Sequence, residues 1–163
     1  PVVLKNLVED VGVWRLAGGI EYLFPDSTVL PAGGRLVVVS FDPWEDPAAL
    51  DAFLSAYALT NGQIRLFGPY SGHLNNKTDS IRLERPVNPD TAGENVSWHV
   101  VDQVTYYDAA PWPATADGSG RSLARLPGQN CGTDPASWVA GTTATPGLGP
   151  AKICLTAPAE NSG

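Results

Sequence analysis

The chain has 163 residues, 43% of them hydrophobic and 17% charged, with a formal charge of -7. That is enough apolar material for one packed domain, while the absence of any basic cluster excludes nucleic acid and anionic membranes as expected partners. No apolar run reaches the length of a membrane-spanning helix, and the abundance of Gly (17) and Pro (15) favours many turns over long helices.

Residues 2–7 form a short apolar run that predicts a first strand. Residues 14–16 and 21–24 predict a hairpin around Gly18-Gly19. Pro25-Asp26-Ser27 and then Leu30-Pro31-Ala32-Gly33-Gly34 turn the chain before residues 35–40, Arg-Leu-Val-Val-Val-Ser, its most β-prone run. The unbroken apolarity of that run predicts burial on both faces.

One helix is predicted, over about 47–58. Asp46 caps it, Pro47 suits its first position, and Leu50, Phe53, Leu54 and Tyr57 recur at helical spacing. A single short helix lying across a sheet fits this better than an alternating α/β pattern. Strands resume at 63–67 and 79–84, separated by a polar loop at 68–78, and a second loop at 86–95 leads into a long strand at 97–107. Pro111-Trp112-Pro113 and Gly118-Ser119-Gly120 then turn the chain into a strand at 122–126. Seven to nine short strands with turns this frequent predict an all-β antiparallel sandwich or barrel.

Four blocks, taken in order, carry a family resemblance. They are Leu4-Lys5-Asn6 with Trp14-Arg15-Leu16, Gly19 and Phe24-Pro25; Leu30-Pro31-Ala32-Gly33-Gly34 with Leu36-Val37-Val38-Val39; Leu74-Asn75-Asn76 with Asp79-Ser80-Ile81-Arg82-Leu83; and Val101-Asp102-Gln103-Val104-Thr105-Tyr106 with Pro111-Trp112-Pro113, Ala116-Asp117-Gly118, Gly120 and Ser122-Leu123. Asp134-Pro135, Trp138 and Thr145-Pro146-Gly147 close the pattern. In these the chain resembles the lamin-tail domain family, in particular its bacterial extracellular members. The resemblance implies an immunoglobulin-like β-sandwich over residues 1–149 and brings no catalytic residues with it.

It departs at two places. Residues 8–13 are compressed relative to the family, which puts an upstream edge strand in question. Residues 150–163 read as a linker and the first strand of a following immunoglobulin-like domain, implying a piece of a larger secreted or cell-surface multidomain protein.

The candidate chemistry is sparse, and no enzyme is expected. His73 and His99 are far apart, and Gly118-Ser119-Gly120 is too short for a nucleophile elbow. No cofactor is expected, with calcium the one candidate metal: Asp108, Asp117 and Asp134 fall in loops near one end of the predicted sandwich, and hard cations take carboxylate oxygens. The competing reading is that these aspartates start turns. Trp112, rigid between prolines, is a candidate face for a sugar ring or a partner's prolines, or else a plug closing the sandwich. Trp44, in an acidic loop, is the tryptophan expected to be most exposed, and Tyr70 is a third aromatic binding candidate.

Cys131 and Cys154 admit either a disulfide or two independent thiols. Asn76-Lys77-Thr78 and Asn95-Val96-Ser97 match the glycosylation pattern.

The function expected from all this is a non-catalytic structural or interaction module, bound to neighbouring domains or extracellular proteins for spacing, attachment or adhesion. The alternatives are a glycan-binding module and a subunit that donates a strand to an extracellular assembly.

Overall fold

The computed structural model describes residues 2–4, 12–87, 96–128, 131–141, 144–148 and 154–155. Its centre is a five-stranded antiparallel sheet in the order β7-β3-β2-β8-β9. The strands are β2 (Arg15–Gly18), β3 (Ile20–Leu23), β7 (Ser71–Gly72), β8 (Thr78–Val87) and β9 (Ser97–Tyr107). The predicted hairpin is β2–β3, and glycine is required in it: Gly18 has φ 128°, and a Cβ there would collide with the Ser80 carbonyl of β8. β8 and β9 pair over their full length, with a bulge at Leu83/Glu84 that sets two residues of β9 against one of β8.

Across one face of this sheet lies β11 (Trp138–Ala140), β10 (Leu123–Arg125) and β12 (Cys154–Leu155), in that order. Alternation decides what fills the space between. Ile20, Ile81 and Val104 point inward from β3, β8 and β9, and Trp138 meets them from the second sheet. Trp112 completes this buried cluster, with Leu16, Tyr106 and Leu123 packed against it. The fold is therefore all-β and sandwich-like, with one helix.

Several elements differ from expectation. The run at 35–40 contributes only β5 (Val37–Val38), which is half-buried and pairs in parallel with β6 (Leu66–Phe67). Parallel neighbours need a long crossover, and the helix α1 (Pro47–Ala56) sits within it. Asp46 caps α1 by accepting from the Ala49 N–H at 3.0 Å, with Pro47 in its first turn, as the sequence predicts. The polar loop at 68–78 holds a strand after all, because β7 pairs with β3 through backbone groups that hydrophobic alternation cannot reveal.

β1 (Val2–Val3) pairs antiparallel with β4 (Val29–Leu30) of its own chain. Residues 8–11 of the compressed approach at 8–13 lie outside the described residues, as does most of the expected linker at 150–163. At 154–155 the backbone pairs with β10.

Candidate functional site

The segment Asp42-Pro43-Trp44-Glu45-Asp46 crosses from β5 toward α1 and is fixed by its own aspartates. Asp42 Oδ1 accepts from the backbone N–H of Trp44 at 2.8 Å and of Glu45 at 3.1 Å. Its carbonyl accepts from the Asp46 N–H at 3.0 Å. Short polar side chains favour such turns by bonding the backbone one to three residues on.

The product is an exposed tryptophan on a held loop. Trp44 is 66% exposed, and its ring stands edge-on to Phe67 at 6.4 Å and 75°. Phe67 in turn contacts Phe24 at 6.1 Å and Tyr22 at 6.5 Å, and the Arg65 guanidinium lies 5.6 Å from the Phe67 ring centre. Burial pushes the Tyr22 hydroxyl above its ordinary pKa, with the Asp42 charge adding to the rise and a hydrogen bond from the Gly68 backbone opposing it. The negative field of the loop therefore reaches the aromatic cluster beneath it.

The other sequence candidates separate. Trp112 is 4% exposed and packs on Trp138, with ring centres 6.0 Å apart. Of the two readings the sequence leaves for Trp112, its burial against Trp138 fits the plug between the sheets rather than an open binding face. Tyr70 is half-buried against the same core cluster.

Among the described residues no three of His, Cys, Asp and Glu are grouped to hold a metal. Of the three aspartates proposed for calcium, the Asp134 side chain serves a turn, and Asp117 and Asp108 are bonded through their backbone N–H groups. Asp134 Oδ1 accepts from the Ala136 N–H at 3.0 Å, and the Asp117 N–H closes the turn after residues 114–116 on the Ala114 carbonyl. The Asp108 N–H extends the β8–β9 ladder to Lys77. His73 and His99 are exposed.

Cys131 is exposed, and hydrogen bonds from the Thr133 hydroxyl and backbone hold its thiol below the ordinary value. The side chain of Cys154 lies outside the described residues, and with it the disulfide. Asn76 is exposed, while Asn95 lies outside the described residues.

Sequence reasoning missed the ionic ties. Glu84, 4% exposed, receives Arg15 Nε on one carboxylate oxygen and Arg82 Nε on the other, each at 2.7 Å. Burial alone raises the Glu84 pKa, but the hydrogen bonds and charges of Arg82 and Arg15 outweigh it and hold the carboxyl below its ordinary value. Arg15 also covers the Trp98 ring at 3.9 Å. On the opposite face, Arg125 of β10 grips Asp102 of β9 with two hydrogen bonds, at 2.6 and 3.0 Å, and ties sheet to sheet. The alternation of Arg82 and Glu84 marks them as sharing a face of β8, but nothing local shows that Arg15 lies across from Glu84.

No family model, curated protein or solved structure matches the chain. Among the described residues, no helix is long and apolar enough to cross a membrane.

Proposed function

We propose that the chain is a non-catalytic, immunoglobulin-like interaction and spacing module of a secreted or cell-surface multidomain protein, bound to neighbouring domains or extracellular partners. The observation that carries this reading is the state of Glu84. A buried carboxyl serving as general acid or base needs a raised pKa near the working pH and an open oxygen facing substrate. Glu84 has the reverse on both counts: a lowered pKa, and each oxygen taken by a guanidinium. Its chemistry is spent on joining β2 to β8, as that of Asp102 is spent on joining the two sheets.

The lamin-tail resemblance in the sequence supports the same reading, because it implies an immunoglobulin-like sandwich and brings no catalytic residues with it. The test is turnover by the full chain against a panel of ester, glycoside, peptide and phosphate substrates. The expected result is a rate equal to the buffer rate. Turnover abolished by His73→Ala or His99→Ala, with the melting temperature unchanged, overturns the reading.

A further inference from the structure

Among the described residues, three rings carry a guanidinium. Trp98 takes Arg15 at 3.9 Å, Trp138 takes Arg125 at 5.1 Å and Phe67 takes Arg65 at 5.6 Å. Trp44 is the large hydrophobic residue most exposed to solvent among the described residues, and no cation lies over it there. Three carboxylates, Asp42, Glu45 and Asp46, stand within two residues of it in the chain, and the nearby Arg65 lies on the Phe67 ring. Between positions 36 and 64 stand Asp42, Glu45, Asp46 and Asp51, and no Lys or Arg at all. An exposed indole face in a negative field suits a cation, which gains from the ring quadrupole and from the carboxylates together.

We infer that Trp44 and the carboxylates beside it form a docking point for a basic segment of a partner protein, whose arginine or lysine side chain lies on the indole. The inference rests on the interaction-module reading and names the partner's chemistry. Pre-organisation favours it: Asp42 fixes the backbone of Trp44 and Glu45, and the ring packs against Phe67, so binding orders little that is not already ordered. The capping duties of the loop do not exhaust its charge. Asp42 and Asp46 each use only Oδ1 in the bonds described, and the Glu45 carboxylate has no partner among the described residues. A neutral sugar could stack on the same ring and donate hydroxyls to the carboxylates, but it brings no positive charge to match theirs or to meet the ring quadrupole. Charge therefore decides for the basic partner over the glycan.

The test is titration of the full chain, followed by tryptophan fluorescence and calorimetry, with three probes: an unstructured Gly-Arg repeat peptide, its citrulline counterpart, which keeps the shape and loses the charge, and cellohexaose. The arginine peptide is expected to bind and the citrulline peptide and the sugar are not. Trp44→Ala should weaken binding roughly three- to thirtyfold, the equivalent of one cation–π contact, while Trp44→Phe retains most of it. Glu45→Gln should give a smaller loss, and added salt should weaken binding throughout.

Three outcomes overturn the inference: no binding of the arginine peptide, equal binding by Trp44→Ala, which would mean adsorption to net charge alone, or Trp44-dependent binding of the citrulline peptide or cellohexaose. None of these touches the module reading, which fails only on catalytic turnover.

Discussion

Trp112 and Trp44 occupy similar local sequence. Each follows a proline in a turn-rich stretch with aspartates close by, and each ring is held by a local backbone bond, Trp112 through its N–H to the Ala109 carbonyl and Trp44 through its N–H to Asp42. Their surroundings are opposite: 4% exposure against 66%. Turn chemistry makes a tryptophan rigid, but what stands across from it decides whether it is core or surface. Trp112 has the second sheet above it, with Trp138 in contact. Trp44 has the Phe67 ring beside it, 6.4 Å away and at 75°, and stands 66% exposed.

The strongest way to break this comparison is Trp112→Ala. It removes a ring shared by both sheets and leaves a cavity that β10 and β11 cannot collapse into without losing their register. The expected cost is about 3–5 kcal/mol, read from denaturant midpoints, which would leave a domain of this size barely folded. A cost under about 1 kcal/mol would mean that the ring is not between the sheets in solution.

The two residues also mark what the sequence could and could not show. Position 44 was legible because its neighbours are acidic and a loop of carboxylates is seldom buried. At position 112 the plug was legible as one of two readings but its partner was not, because Trp138 lies 26 positions on and no local pattern announces that the two meet. The same division runs through the fold. The long strand at 97–107 and the capped helix declare themselves by alternation, helical spacing and the Asp46-Pro47 start. The parallel pairing of β5 with β6 and the added strand β7 depend on partners brought from elsewhere in the chain. The Arg15–Glu84 tie spans 69 positions, so its charges read in sequence as ordinary solvated ones.

Glu84 offers a middle-sized effect, because a buried carboxylate stands between partners that are each about a third exposed. Glu84→Gln should cost about 1–2 kcal/mol at neutral pH, less than the loss of a fully buried pair, since solvent screens both arginines. The sign of the pH dependence follows from the lowered pKa. The folded state holds Glu84 ionised more firmly than the unfolded state does, so its contribution is complete above the ordinary value of 4.5 and is lost as pH falls through the lowered one. Melting curves from pH 7 down to pH 3 should therefore converge for the wild type and Glu84→Gln at the acid end. A gap that widens toward low pH would contradict the arrangement.

The smallest effect belongs to Trp44. Trp44→Ala should change stability by less than about 0.5–1 kcal/mol, because most of the ring already faces water in the folded state and little apolar area is returned to solvent by its loss. What it should change is optical. Among the described tryptophans, Trp112 and Trp138 are buried, Trp14 and Trp98 are half-buried, and Trp44 is the exposed one. Iodide quenching of the wild type should therefore show an accessible component that disappears in Trp44→Ala and persists in variants of the other four. Acrylamide, being neutral, should quench this component more readily than iodide does, because the carboxylates around the loop repel an anion, and raised salt should narrow that difference. A stability loss in Trp44→Ala comparable to that of Trp112→Ala would erase the contrast between the two residues, and the basic docking point with it, since a ring that the core requires is not free to receive a partner's arginine.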